Sequence, residues 1–186
     1  MRKTSKQSDR MKTNINKDEY GEYYGRYVKH SNGSDLAQLL SENRVAMAEM
    51  LKDLNDAKAL YRYEEGKWSI KEVLGHVIDT ERIFNYRVLS LVRGEERPLP
   101  GYDQDHYMKI VNFDRYSVKE LQSQYSATRD YTLSLFGSFS DDEMISRGVI
   151  NGSLFTVRAV GYVIAGHEMH HRSILKEKYQ LTGSAN

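Results

Sequence analysis

VGYVIAGHEMHHRSIL, residues 160–175, is an amphipathic segment that carries three histidines among apolar residues. Side chains three and four residues apart lie on the same face of a helix. At about 100° per residue, its apolar residues and two of its histidines fall on one arc roughly 120° wide. The arc comprises Val160, Val163, Ile164, His167, His171, Ile174 and Leu175. An arc of this kind is the face that a helix buries, so the segment predicts a core helix that brings imidazoles into the interior.

Buried imidazoles at this spacing indicate a metal site. A neutral imidazole in an apolar interior needs partners for both ring nitrogens, and a metal ion is one partner that several can share. Helical spacing alone allows His167 to bind the same metal ion together with either His170 or His171. The string also satisfies His-Glu-x-x-His, the motif of zincin proteases. No third downstream ligand and no strand-rich half accompany it, which argues against a protease.

The other three histidines differ in how well they qualify as metal ligands. His30 lies in a Gly- and Ser-rich region and His106 in a long loop, so both are expected at the surface. His76 lies at the edge of the apolar arc of an earlier helix. A three-histidine site needs one imidazole from a second helix, and two facing helices of a bundle can supply it. His76 is therefore the candidate third ligand.

The bulk composition narrows the class of protein. The chain has 186 residues, with 27 Lys plus Arg, 26 Asp plus Glu and no Cys. This length suits one domain, and the balanced charge selects neither nucleic acid nor an anionic membrane. No apolar run approaches the roughly 20 residues that span a bilayer. We therefore expect a disordered polar tail over residues 1–14, one domain over residues 15–186, and a cytoplasmic location.

Helical periodicity and start signals predict four long helices. Ser69 and Ser117 each open a Ser-x-x-Glu capping box, while Ser34 and Thr156 are the candidate N-caps of the other two helices. Residues 94–115 contain both prolines and read as a long loop, and Asn151-Gly152 is a turn signal for a small hairpin. The helices are expected over about 34–54, 69–93, 117–136 and 156–180. The predicted fold is all-α, a four-helix bundle with a long crossover loop.

Three segments resemble the DinB/YfiT-like superfamily. They are WSIKEVLGH (residues 68–76) with Asp79, LPGYDQD (residues 99–105) and GYVIAGHEMHH (residues 161–171). The resemblance implies a four-helix bundle that holds a divalent ion, zinc or nickel, through three histidines. It places the ligands at His76, His167 and His171, with His170 outside the coordination shell. It also implies a homodimer.

A site of three imidazoles leaves the cation at least one open position. That position can hold water, with its pKa lowered toward about 7, or the thiolate of a small cosubstrate. The resemblance points both to thiol-dependent transferases, including users of bacillithiol, and to metal-dependent hydrolases. Because no general base is evident beside the histidines, the first hypothesis is a thiol S-transferase acting on small electrophiles. The alternatives are a hydrolase of small amides or esters and a non-enzymatic, metal-stabilised binding protein.

Several polar residues are candidates to support such a site. Asp79 lies one helical step from His76, and Glu168 adjoins His167, so these two are candidate hydrogen-bond partners of the ligand imidazoles. Tyr102, Asp103 and Asp105 lie in the long loop and are candidates to border a small-molecule pocket. Asp is also common in loops simply because it caps turns.

Overall fold

The structure, a computed structural model, describes residues 14–182 and is mainly helical. Its helices and strands are, in chain order, α1 (Gly25–Ser31), α2 (Leu36–Leu51), α3 (Asp56–Ala59), α4 (Ile70–Val92), α5 (Gln104–Ile110), α6 (Val118–Gly137), α7 (Asp141–Met144), β1 (Arg147–Ile150), β2 (Ser153–Thr156) and α8 (Val157–Glu177). Short 3-10 helices occupy Lys17–Glu19, Glu22–Tyr24 and Phe113–Arg115. The predicted tail over residues 1–14 lies outside the described residues except for Asn14, and the domain boundary at residue 15 stays a prediction.

The four long helices α2, α4, α6 and α8 form a bundle. Helix α4 packs against α6 and α8, and α2 packs against the same two helices, so α2 lies opposite α4. The predicted all-α four-helix bundle is confirmed. Within residues 14–182, no helix has the length and apolar character that a membrane span requires.

Side-chain caps set the starts of the long helices. Ser69 and Ser117 form the predicted capping boxes with Glu72 and Glu120. The predicted cap at Ser34 is wrong: Asp35 accepts a hydrogen bond from the backbone N–H of Gln38 and is the N-cap of α2. Both residue types can cap, but Asp35 immediately precedes Leu36, which is buried at the first position of the helix.

The last helix is shorter than its apolar pattern suggests. Thr156 caps its start, as predicted, by accepting from the N–H of Ala159. The helix ends at Glu177 rather than near Gln180, because Gln180 adopts a left-handed backbone with φ of 53°. The N–H of Leu181 then bonds to the carbonyl of Leu175, which folds the chain back onto the helix end.

The crossover loop is attached to the hairpin. Strands β1 and β2 pair antiparallel through a turn at Asn151-Gly152, both with positive φ, as the sequence predicts. Leu99 in the loop donates to the carbonyl of Val149 at 2.8 Å and accepts from the N–H of Asn151 at 2.9 Å. These two bonds fix the segment that follows, including Tyr102, beside α4.

Candidate metal centre

Two helices of the bundle bring three histidines together. His76 projects from α4, and His167 and His171 project from successive turns of α8. Nε2 of His76 lies 3.1 Å from Nε2 of His167, and one ring nitrogen from each of the three histidines lies within 4.8 Å of the others. The ring centroids of His76 and His171 are 4.8 Å apart. These side chains are the ones that the sequence analysis selected as ligands.

Glycines beside the ligands allow neighbouring segments to approach closely. A Cβ at Gly75, next to His76, would lie 2.3 Å from the ring of Phe113. A Cβ at Gly166, next to His167, would lie 2.1 Å from the backbone oxygen of Tyr27 in α1. The absence of a side chain at each glycine therefore lets a flanking segment cover the ligand helix at the site.

Burial keeps the three imidazoles neutral. His76 and His167 are only 4% and 6% exposed, and His171 is partly buried. Burial lowers the pKa of His76 from 6.5 to about 4, which the charge of Asp105 only partly opposes. Burial and the neighbouring His76 and His170 lower the pKa of His171 to about 3, and burial takes the pKa of His167 well below its usual value. A neutral imidazole offers a free nitrogen lone pair, which is the form that binds metals.

The geometry of the group fits a divalent metal ion. Two nitrogens bound to one ion at about 2.0–2.1 Å each lie no more than about 4.2 Å apart. The 3.1 Å separation of His76 and His167 already meets this limit. The 4.8 Å within which all three nitrogens lie exceeds it by about 0.6 Å, which small adjustments of the side chains remove. Two imidazole nitrogens facing each other at 3.1 Å share at most one proton, so a cation is a fitting common partner.

The remaining histidines lie outside this group. His170 is half-buried on the neighbouring face, with its ring centroid 5.2 Å from that of His171 and 5.7 Å from that of Tyr27. His30 and His106 are exposed, as expected. Of the two partners that helical spacing allowed for His167, the structure brings His171 to the cluster.

The two acidic residues predicted to hydrogen-bond to the ligand imidazoles have other partners. Asp79 forms an ion pair with Arg82 at 3.3 Å. Glu168 accepts a hydrogen bond from the hydroxyl of Tyr125 at 2.9 Å and pairs with Arg129. Roles for Asp79 and Glu168 as direct partners of the imidazoles stay predictions.

A pocket of about 200 Å³ adjoins the cluster at His167. It is bounded by the aromatic-rich segment before and within α1, one face of α4, the crossover loop and the hairpin turn. Its lining comprises Tyr23, Tyr24, Tyr27, Thr80, Phe84, Arg87, Tyr102, Gln104, Asn151 and His167.

The three loop candidates have different surroundings. Tyr102 lines the pocket, with its hydroxyl 2.5 Å from that of Thr80, and burial raises its pKa. Asp103 is exposed and caps α5 by accepting from the N–H of His106. Asp105 is exposed, and its charge acts on His76. The structure thus brings Tyr102 to the pocket lining and places Asp103 as a helix cap.

Sequence reasoning missed a buried ion network behind the cluster. Arg129 of α6 donates to both carboxylate oxygens of Glu81 on α4 at 2.8 Å and pairs with Glu168 on α8. It also donates to the carbonyl of Leu40 on α2 at 3.0 Å. The available signal was a charged residue on an apolar face: Glu81 follows Val77 by four residues on α4.

Comparison with known proteins identifies the family of this chain. A family model described as the DinB superfamily matches residues 39–175, a span that includes all three clustered histidines. This chain belongs to the DinB superfamily. A protein of Oceanobacillus iheyensis, provisionally named a metal-dependent hydrolase, is 26% identical to this DinB member over 133 residues, which are 70% of this chain and 75% of the relative.

Two solved structures from Bacillus subtilis share the fold of this DinB member. YfiT, described as a probable metal-dependent hydrolase with an unusual four-helix bundle topology, superposes with a TM-score of 0.65 at 17% identity, covering 90% of this chain and 91% of YfiT. The DinB-like protein YjoA superposes with a TM-score of 0.58 at 13% identity, covering 82% and 95% of the two chains. The family and the buried three-histidine group together fit a metal-dependent enzyme.

Proposed function

We propose that this protein is a metal-dependent S-transferase. It joins the sulfur of a low-molecular-weight, bacillithiol-like thiol to a small electrophile, beside a divalent cation held by His76, His167 and His171. Zinc or nickel is the proposed ion, because the family resemblance implies these two metals; imidazole ligands by themselves suit zinc, nickel, copper and iron alike. A cytoplasmic homodimer is the proposed form of the protein.

The chemical character of the pocket beside His167 carries this proposal. Among the described residues, its lining contains aromatic rings, hydroxyls, amides and one arginine, but no Asp or Glu. Hydrolysis generally employs a general base to deprotonate the attacking water, and carboxylates commonly fill that role. A thiolate is intrinsically nucleophilic and needs no base at the moment of attack. A pocket without a carboxylate therefore favours the thiol.

The proposed reaction is a nucleophilic substitution at carbon. The thiolate sulfur forms a bond to an electrophilic carbon, the bond from that carbon to the leaving group breaks, and the leaving group departs with the electron pair. The proton of the thiol passes to solvent. A cation bound by His76, His167 and His171 would lower the pKa of the thiol.

The chain's own residues supply binding and the exclusion of water. Tyr24, Tyr27 and Phe84 present aromatic surface to the pocket, while Thr80 and Tyr102 offer hydroxyls at its wall. Tyr27 also packs edge-on against His167, with the ring centroids 5.2 Å apart. That contact limits the orientations of the imidazole and keeps its outer edge away from solvent.

Hydrolysis of a small amide or ester is the second candidate. It is supported by the names of the Oceanobacillus relative and of YfiT, both of which describe metal-dependent hydrolases. The same three histidines would hold the ion for either reaction. The attacking nucleophile, thiolate or water, is what separates the two candidates.

The test combines metal analysis with a paired assay. The purified protein is analysed for bound metal and then incubated with bacillithiol, glutathione or cysteine plus a chlorinated aromatic or bimane electrophile. A parallel set contains ester and amide substrates without thiol. We expect metal near one equivalent and adduct formation that requires both thiol and metal.

Matched histidine variants connect the activity to the cluster. His76→Ala is expected to lose bound metal and reduce adduct formation at least 100-fold, whereas His30→Ala, at an exposed position on α1, retains both. Ester or amide cleavage without thiol-dependent turnover would replace the proposal with the hydrolase. A melting temperature that falls in His76→Ala, with no turnover of any substrate by the parent, would leave a metal-stabilised binding protein.

A further inference from the structure

We infer that Arg87 forms an anion subsite in the pocket, where it binds a carboxylate or phosphate group of the small molecule that reacts at the three-histidine cluster. The identity of that molecule as a substrate rests on the proposed function. Binding of the anionic group at Arg87 is a separate claim and is tested separately.

Arg87 differs from the other buried cations of the protein. Among the described residues, three cationic side chains are buried: Lys71, Arg87 and Arg129. Lys71 pairs with Asp56 at 2.9 Å, and Arg129 pairs with Glu81 and Glu168. Within residues 14–182, no carboxylate forms an ion pair with Arg87, although this residue is only 3% exposed.

The groups around the Arg87 guanidinium stabilise its positive charge but carry no negative charge that would neutralise it. One guanidinium nitrogen donates to the carbonyl of Pro100 at 2.8 Å. The guanidinium carbon lies 5.3 Å from the ring centroid of Phe84 and 5.8 Å from that of Tyr102. A guanidinium has five N–H donors in a fork that matches an oxyanion, so this set leaves donor capacity for a ligand.

The energetic cost of burial points the same way. Burial lowers the pKa of Arg87, and the tyrosines nearby only partly oppose it. Buried charges in proteins are normally paired with a counter-charge, as Lys71 and Arg129 are here. An oxyanion on a ligand would give Arg87 the negative counter-charge that Asp56 gives Lys71 and that Glu81 and Glu168 give Arg129.

The position of Arg87 relative to the cluster suits a bifunctional ligand. Arg87 follows His76 on α4 by about three turns and therefore lies on nearly the same face of the helix. Both Arg87 and His167 line the pocket, together with Thr80 and Phe84. Thr80 and Phe84 lie between His76 and Arg87 on α4. A small molecule can thus place its anionic end on the guanidinium and its reactive end at the histidines.

A purely structural role is the competing explanation. The bond to Pro100 ties α4 to the crossover loop, so Arg87 could serve only to hold the loop. The two roles predict different behaviour when the charge is removed. Loss of a loop anchor alters stability, whereas loss of an anion subsite alters the preference between charged and neutral ligands.

The test measures binding rather than turnover. The full-length protein, as purified with its metal, is titrated by calorimetry with 3-phenylpropionate, phenethyl phosphate and the neutral 3-phenylpropionamide. We expect one or both anions to bind at least tenfold more tightly than the amide. The stronger of the two anions identifies the group as carboxylate or phosphate.

Variants assign that preference to Arg87. Arg87→Met is expected to keep the fold, because an apolar side chain of similar length replaces an uncompensated buried charge, and to bind anion and amide within about threefold of each other. Arg87→Lys should retain part of the preference. Arg82→Met is the matched control, since Arg82 lies on the same helix, pairs with Asp79 and is not part of the pocket lining.

The outcomes separate this inference from the proposed reaction. Equal affinity of the parent protein for anions and amide, or an anion preference that survives in Arg87→Met, would overturn the anion subsite. Arg87→Met with reduced stability and an unchanged ligand preference would assign Arg87 to the loop. Selective anion binding in a protein that turns over no thiol would keep the subsite and reject the S-transferase.

Discussion

At the scale of single residues, Gly166 connects packing to the metal centre. It lies in α8 immediately before His167, where α1 crosses over the helix. A Cβ there would lie 2.1 Å from the backbone oxygen of Tyr27, and neither backbone can yield without moving a helix. The aromatic contact of Tyr27 with His167 depends on the same close approach.

Gly166→Ala should therefore be destabilising, although alanine normally favours helices. Overpacking of this kind costs about 1–3 kcal/mol, so urea unfolding should report a loss of that order in the free energy of unfolding. Gly137→Ala is the control, because a Cβ at the end of α6 meets no atom within 4 Å. That variant should gain about 0.4–1 kcal/mol. Equal stability of the two variants would contradict the close packing of α1 on α8.

At the scale of elements, one guanidinium ties the four long helices together. Arg129 is fully buried in α6 and bonds to Glu81 on α4, Glu168 on α8 and the carbonyl of Leu40 on α2. Two carboxylates share this single buried cation, and Arg172 lies 3.5 Å from Glu168 as a further positive charge. The network therefore sets the relative positions of α4 and α8, the two helices that carry the histidines.

Arg129→Met should be among the most destabilising single changes in the bundle. It leaves Glu81 and Glu168 buried without their common cation, and breaking a buried pair in this way costs about 3–5 kcal/mol. Thermal and urea unfolding would measure the loss. Arg44→Ala is the matched control, because Arg44 also joins α2 to α6, through an exposed pair with Asp130 at 2.9 Å. Exposed pairs contribute about 0–1 kcal/mol, so a similar loss in both variants would argue against the special role of the buried network.

Local signals in the sequence were sufficient for most elements. Capping boxes at Ser69 and Ser117 predicted the starts of α4 and α6, because the cap is formed within four consecutive residues. The Asn151-Gly152 turn likewise predicted the hairpin. The cap of α2 was misplaced by one residue, since Ser34 and Asp35 are both good caps and only the burial of Leu36 decides between them.

Long-range contacts were the part that local patterns could not supply. The apolar arc of α8 and the family resemblance together predicted the histidines, which the structure brings together. The partners of Arg129 lie 39 to 89 residues away along the chain, so no local pattern links them. Apart from Tyr102 and His167, the pocket lining was missed for the same reason, because Arg87 and Tyr24 come together only after α1, α4 and the crossover loop have assembled.

At the scale of the whole molecule, hydrogen bonds and an ion pair connect the start of the described chain to its last helix. Both carboxylate oxygens of the buried Glu19 accept from Arg158 on α8, at 2.6 and 2.7 Å. Glu19 also accepts from the hydroxyl of Thr156 and from the N–H of Asn16, each at 2.9 Å. This single carboxylate therefore joins the N-terminal segment, the end of the hairpin and the start of α8.

The fastening at Glu19 should make stability depend on pH in the acid range. Burial raises the pKa of Glu19, but the bonds from Arg158, Asn16 and Thr156 outweigh it and hold the pKa below its ordinary value of 4.5. Because the folded pKa is the lower one, the unfolded chain binds more protons, and this contribution is complete above about 4.5 and lost as the pH falls through the folded value. Glu19→Gln should lower the free energy of unfolding by about 1–3 kcal/mol at pH 7, and the difference from the parent should shrink below pH 4.5.

Urea unfolding from pH 7 to pH 3 would measure this difference, with the exposed Glu22→Gln as the control for loss of one negative charge. A difference that stays constant across that range would show that the ionised Glu19 carboxylate does not hold the segment in place.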